Sequence, residues 1–481
     1  MLALLAACGF LVRFWGITKL HFWDENVYLL NAEYFYSGHA GYIGIDSRPP
    51  LLSLLFAAVF HVWHSDYAAE VVAGILNALG PLFLFLAGCR IVGKNAATIA
   101  ALLLAFLPFF AGACTDETGT LITNCNGHSL LTDCPALTLI LAALWLGVRA
   151  LEEQTGLHFA AFGFMMAMAV LMRFGSLSSA PFLLLLVLAA KQRGRAAAAA
   201  IGGFLLGVGP YLCWSRARYG AFFFTLRQGW RNVNGDPQPW DYFAVHLPPM
   251  FSWLGITGLA LWFITRAVEL VRWKRSSAKD GGAGAPSTLR WEIFLWIWAV
   301  GVFLFFSNLR HKELRYGIPL AAPLLLLAGA GLGSLLRSAR RMLRVGAGGL
   351  LAAAMIVACW PTLHRLRSGF VDSSVSDEML IARSMRETLS PDTVLHASAN
   401  YPDFAYYSGM TVNPLPETGN ALYAALDRLP AGDVLIAYKA ADEGGSPPEP
   451  PISYLDSNPR FTRLREFPTV VLYRVNPLPG R

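Results

Sequence analysis

Charge is what this sequence has least of. Only 14% of its 481 residues are Asp, Glu, Lys or Arg, where a soluble domain averages nearer a quarter. A water-facing globule of this length is therefore excluded. Cysteine is sparse too, seven in all. No second ligand pair stands at a regular spacing, which speaks against a Cys-rich metal centre. There is no internal repeat, so a solenoid is excluded. The formal charge is only +7, and the basic residues sit in short clusters between apolar blocks. That placement reads as topology signals and gives no reason to expect nucleic acid.

Apolar residues make up 55% of the chain, and the mean hydropathy is +0.47. They come in blocks of roughly 16 to 27 residues, the length that crosses a bilayer core. In lipid every backbone polar group must be satisfied within the segment, so the blocks predict helices. Eleven are clear: 2–20, 67–92, 96–113, 133–150, 157–172, 174–190, 196–214, 245–271, 291–308, 316–336 and 346–361. A twelfth stretch, 51–63, reaches only about 20 Å as a helix. It reads as a segment at or dipping into the interface. Leu5-Ala6-Ala7-Cys8 looks like a lipoprotein cleavage box, but no basic segment precedes it, so Cys8 is expected within the first span.

With the N-terminus in the cytoplasm, the basic clusters around Arg90, Arg149, Lys191, Lys274 and Arg341 all fall inside. Counting 51–63 as a span would reverse them. The opposite face then receives Asp24, Glu25, Arg48, Asp133, Arg173, Arg310, His311, Lys312 and Arg315. Basic residues on the outer face are the ones that need a reason. Arg48, with Pro49 and Pro50, starts a helix, where the macrodipole disfavours a cation; it is better suited to holding an anion. The run His311-Lys312-Glu313-Leu314-Arg315-Tyr316 would suit a phosphate, and Arg173 could complete the same pocket. Each has a plainer reading: lipid headgroup contact for the bases, helix capping for Asp24-Glu25 and for Asp133 with Pro135. Cys114, Cys125 and Cys134 surround one outer loop and could pair in an oxidising compartment. His128 and His311 are the two histidines near the proposed site.

The tail is a different kind of sequence. Its strand-like runs are "TVLHAS", "DVLIAYK" and "TVVLYRV", and a helix "SDEMLIARSMRETL" precedes them with Ser376 and Asp377 as cap candidates. The division expected is a membrane part, 1–361, and a small α/β domain, 362–481, outside the membrane.

Taken together these residues resemble the GT-C superfamily of membrane glycosyltransferases, in the branch of the protein O-mannosyltransferases and the lipid A aminoarabinose transferase. The matching pieces are Asp24-Glu25 with Tyr28, "YFYSG", and Arg48-Pro49-Pro50-Leu51 in place of that branch's Lys-Pro-Pro-Leu. Asp133-x-Pro135 and "HKELRYGIPLAAPLLLLAG" complete them. Two departures stand out: Ser47 precedes Arg48 where relatives often have an acid, and the loop 114–132 is long. The fold implied is a polytopic helical membrane protein, GT-C-like, of about 11 transmembrane helices with interfacial helices and the outer α/β domain. The activity implied is transfer of a sugar from a polyprenyl-phosphate donor to a lipid, glycan or protein acceptor at the outer face of the inner membrane.

On that basis Asp24, Glu25 and Asp133 are the catalytic acids, with Asp24 leading as base. Arg48, Arg173, Arg310, His311, Lys312, Arg315 and Tyr316 form the phosphate side. A divalent metal ion at Asp24 and Asp133 stays open. Two rivals stand beside this reading. One is a flippase of lipid-linked sugars, which should hold charges near mid-span, where Arg13 is the main one. The other is an inactive relative that presents its outer domain to a partner.

Overall fold

The computed structural model of the chain describes residues 9–14, 17–18, 23–111, 114–115, 121–122, 130–231, 237–280, 289–337, 341–365, 371–372, 376–439 and 449–477. Its helices, in chain order, begin with α1 (Trp23–Ser37), α2 (Leu51–Phe60), α3 (Asp66–Ile91), α4 (Lys94–Phe106), α5 (Asp133–Glu153) and α6 (Gly156–Met172). They continue with α7 (Ala180–Leu188), α8 (Arg193–Tyr219), α9 (Phe224–Arg231), α10 (Leu247–Asp280, broken at Ser252), α11 (Leu289–Ser307), α12 (Ala321–Ser334) and α13 (Arg341–Ala358). The chain divides into two compact units: 1–17, 46–52 and 70–371 form one, and 18–45, 53–69 and 372–481 form the other.

Among the described residues, six helical segments are long and apolar enough to cross a membrane: Asp66–Ile91, Asp133–Glu153, Arg193–Tyr219, Leu247–Val271, Leu289–Ser307 and Leu314–Ser334, all but 66–69 in the first unit. They coincide with six of the expected spans. Four more expected spans are shorter apolar helices, and 2–20 lies largely outside the described residues. The segment taken as too short to cross is a helix of 10 residues, α2. The expected span 96–113 stops early for a local reason. Leu107 is extended (φ −60°, ψ 133°) because Pro108 follows it. The carbonyls released at that break are met by Arg13. Its guanidinium, 4% exposed, donates to Ala105 O at 3.0 Å, Leu104 O at 3.2 Å and Phe110 O at 3.3 Å.

Nearly all of the apolar stretch within Leu314–Ser334 is buried and little of that within Leu247–Val271 is, so the former is central to this unit and the latter peripheral. Lipid tails are as apolar as leucine, so helices in a bilayer associate through close packing of small residues. The α6–α8 seam is built this way. A Cβ on Gly203 would stand 1.9 Å from the Ala160 carbonyl oxygen, and one on Gly163 1.9 Å from that of Ala200. Gly203→Ala should therefore lower the thermal midpoint of the detergent-solubilised protein, by about 1–3 kcal/mol of overpacking. Gly202→Ala, with no atom within 4 Å of its Cβ, should not. Equal midpoints for the two variants would refute the seam.

The second unit holds α14 (Asp377–Thr388), β1 (Leu395–Ala397), α15 (Tyr401–Ser408), β2 (Val412–Pro414) and α16 (Gly419–Leu426). These are followed by β3 (Val434–Tyr438), α17 (Ile452–Ser457), β4 (Phe461–Glu466) and β5 (Val470–Val475). Ser376 caps α14, accepting from Met379 N. Among the described residues the strands form one five-stranded sheet, β2-β1-β3-β5-β4. β1 runs parallel to β2 and β3, while β5 runs antiparallel to β3 and β4. Alternate residues serve opposite faces. Val434, Ile436, Val470 and Leu472 pack with Ile381, Met385 and Phe404, while Leu435, Ala437, Val471 and Tyr473 pack with Leu422, Leu426 and Leu455. Leu30 of α1 belongs to the first of these cores.

Within it, burial pushes the Asp403 carboxyl up to about 7; Asn26 opposes the shift by donating to it, and the charge of Glu378 adds to it. The unfolded chain releases that proton near 3.8. Between these values the folded unit holds more protons, so its stability falls as pH rises, by on the order of 4 kcal/mol. Asp403→Asn should flatten that slope, read from exchange of the slowest β3 amides. An unchanged slope would place the titration elsewhere.

Candidate active site

Three chain reversals in the first unit bring the site together. α5 opens at Asp133, with Pro135 in its first turn, where an acid is favoured by the dipole. α6 ends at Arg173, whose extended backbone (φ −152°, ψ 120°) passes the chain into a 3-10 turn, Phe174–Ser179. A second 3-10 turn, Leu314–Leu320, follows the extended Glu313 and leads into α12. Both turns pack against α5 and against each other.

Asp133 is the centre. Its side chain is 1% exposed, and Arg173 Nη1 donates to its Oδ2 at 2.6 Å. The Arg173 guanidinium also lies over the Tyr316 ring, 5.3 Å from the centroid. Tyr316 donates its hydroxyl to Glu313 Oε1 at 2.9 Å, Arg315 Nε donates to Glu313 Oε2, and His311 Nε2 is 3.4 Å from Oε1. Charge therefore alternates across the site, from Asp133 to Arg173, then through Tyr316 to Glu313 and Arg315. Glu313 was not among the residues expected here. Its signal was in the sequence: a lone acid with a histidine two before it, an arginine two after and a tyrosine three after.

The other expected residues are placed as follows. Lys312 is buried and donates to the carbonyls of Gln238 at 2.9 Å and Leu309 at 2.6 Å, so it ties the segment before α10 to the second turn. Arg310 is exposed, and its carbonyl accepts from Gln238 N at 2.9 Å. Arg48 is half-buried in the same unit. Ser47 O and the Phe174 ring both flank Gly229 of α9; a Cβ there would lie 2.7 Å and 3.3 Å from them. The Arg48 segment thus runs beside the turn that starts after Arg173. Asp24 and Glu25 lie in the first turn of α1, in the second unit, Asp24 half-buried and Glu25 buried.

A divalent ion at Asp133 would have to share that carboxylate with the Arg173 guanidinium. Among the described residues no three His, Cys, Asp or Glu side chains converge as a metal site. Cys134 is a free, buried thiol. The side chains of Cys114 and Cys125, and all of His128, lie outside the described residues.

An uncompensated buried carboxylate is costly, so Arg173→Met should lower stability by about 3–5 kcal/mol. Adding Asp133→Asn should restore a large part. Thermal midpoints of the two variants decide it: a single variant as stable as wild type would show that the pair does not hold the site.

Residues 47–214 match the family described as dolichyl-phosphate-mannose-protein mannosyltransferase. No curated protein sequence matches the chain. Among solved structures, ArnT from Cupriavidus metallidurans bound to undecaprenyl phosphate aligns at TM-score 0.66 and 16% identity. That alignment covers 98% of this chain and 96% of that one. Archaeoglobus fulgidus AglB, an archaeal oligosaccharyltransferase in complex with an inhibitory peptide and a dolichol-phosphate, aligns at TM-score 0.58 and 13% identity, over 90% and 68%. The chain thus matches the mannosyltransferase family model over 47–214 and is similar in fold to ArnT and AglB along nearly its whole length.

Proposed function

We propose that the protein transfers a hexosyl or pentosyl group from a polyprenyl-phosphate donor to a lipid, glycan or protein acceptor at the outer face of the inner membrane. The observation that carries this is the Asp133–Arg173–Tyr316–Glu313–Arg315 array, set in a fold shared with a protein solved with undecaprenyl phosphate. Eleven spans, an N-terminus inside and the part after 361 outside complete the reading. It is supported by the basic clusters that this arrangement leaves in the cytoplasm.

A sugar on a phosphate is already activated. The acceptor oxygen or nitrogen forms a bond to the anomeric carbon as the bond from that carbon to the phosphate oxygen breaks. One displacement inverts the carbon. Asp24 takes the acceptor's proton, with Glu25 beside it. The pair of electrons leaves on the polyprenyl phosphate, where Arg48, Arg173 and Arg315 face the growing charge, with Arg310 at the rim. Donors already in place at a developing anion are worth about 2.7–4 kcal/mol each. Tyr316 and Glu313 hold the two arginines in position, Asp133 sets Arg173, and Lys312 with His311 fixes the turn. The flippase reading leaned on charge within a span, and Arg13 serves the carbonyls at the α4 break instead.

The test is a panel of lipid-linked and nucleotide-linked sugars, read by stabilisation of the purified protein and by transfer to crude envelope acceptors. A lipid-linked sugar at about 100 times its Kd should add about 2.7 kcal/mol. Asp24→Asn should keep that binding and lose about 10²–10⁴-fold in turnover. Stabilisation by a nucleotide sugar alone would overturn the donor. A wild-type rate in Asp24→Asn would return Asp24 to a helix cap, and lipid-sugar movement across the bilayer without transfer would favour the flippase.

A further inference from the structure

The sequence gives no hint of what the tail does for the first outer segment, yet the two are folded together. Asn26, fully buried in the first turn of α1, donates from Nδ2 to Asp403 Oδ1 of α15 at 2.6 Å. One turn back, the Trp23 ring meets Tyr401 edge-on at 5.6 Å. Trp23 and Asn26 are three residues apart, so they share a helix face. Asp24 stands about 100° further round the same turn.

The remainder of the segment is fixed to the same unit. Leu30 lies in the core with Phe404, Ala405 and Leu395. Tyr42 packs on Tyr401 at 5.0 Å. Gly41 O accepts from Val412 N of β2 at 2.8 Å, and a Cβ on Gly41 would stand 2.3 Å from Met410 O. Gly44 N donates to Asn31 Oδ1 at 2.8 Å, closing the loop back onto α1.

We propose that Asp403 is a positioning residue for Asp24: by gripping Asn26, it sets the rotation and depth of the helix turn that carries the base. The proposal rests on the reading of Asp24 as that base. A hydrophobic contact alone lets a helix end rotate about its axis. A buried hydrogen bond one turn from a ring contact does not. Misplacement of a reacting group by about 1 Å costs on the order of 10²-fold in rate. The grip acts on placement, so it should enter turnover and leave donor binding alone. The tail is then part of the catalytic apparatus, although no residue of it touches a reacting atom.

The test compares Asp403→Asn, which keeps an acceptor oxygen for Asn26, with Asp403→Leu, which keeps the volume and removes the acceptor. Both are made in the full chain in lipid nanodiscs. Hydrogen exchange is followed over residues 23–30, with β3 and β5 as references, and transfer is assayed with a polyprenyl-phosphate sugar.

Asp403→Leu should speed exchange over 23–30 at least about tenfold and lower kcat on the order of 100-fold, with KM for the lipid donor within about threefold. β3 and β5 should hold their protection in Asp403→Leu, and Asp403→Asn should track wild type in exchange over 23–30 relative to β3 and in kcat. Wild-type exchange over 23–30 in Asp403→Leu would overturn the proposal. So would loosening that reaches β3 and β5 equally, since that is the mark of a packing residue. If Asp403→Leu does not fold, Tyr401→Leu removes the ring contacts to Trp23 and Tyr42 and must loosen the same eight residues. Exchange is read without any turnover, so loss of the base assignment through Asp24→Asn leaves this result to be judged separately.

Discussion

A carboxylate whose side chain is 1% exposed keeps its charge only if a cation is brought to it, and Asp133 has Arg173 at 2.6 Å. That pair sets the order of the first unit's site. It joins the start of α5 to the end of α6, and so decides where the turn Phe174–Ser179 begins. Because Arg173 then lies over Tyr316, the second turn is drawn to the first. Tyr316 in turn donates to Glu313, which Arg315 and His311 also approach. A buried ion pair contributes little net stability, since desolvation offsets most of its attraction. Its value here is directional: it leaves one guanidinium fixed at the meeting point of three chain reversals.

The same economy governs Arg13. A charge in a span invites a reading as a transport element. Here it answers a defect in the neighbouring helix, where the extended residue before Pro108 leaves carbonyls without amide partners. Lipid offers those carbonyls nothing, so the protein supplies a donor from another segment. The cause is legible in Leu107-Pro108, and the cure, 91 to 97 residues away, is not.

That contrast between local cause and distant partner runs through the whole chain. The helices at the expected spans were legible because apolar length is a local property. The three tail runs rich in Val, Leu, Ile and Tyr fall on β1, β3 and β5, the three inner strands of the sheet. The two strands that the sequence did not announce are its edges. β2 is three residues ending in Pro414, and β4 exposes every residue but Phe461, including Arg463, Arg465 and Glu466. Edges are kept short, proline-bearing or charged to prevent further pairing, which erases the strand signal. In the site, Asp133 and Arg173 could be picked out because each stands at the end of an apolar run. Glu313 was hidden by the bases around it, and the tie between Asn26 and Asp403 spans 377 residues, which no local pattern reaches.

That separation also fixes an order of events in synthesis. A chain emerges N-terminus first, so α1 is made before α14, α15 and the sheet, its partners for burial. Until they arrive, Leu30 has no core to enter and Asn26 no carboxyl to meet. Contacts of such long range form late and slowly. The helix turn that carries Asp24 and Glu25 is therefore finished only when the elements from Asp377 to Val475 have folded. A nascent chain with all its apolar helices in place would still hold α1 without the contacts that fix its first turn.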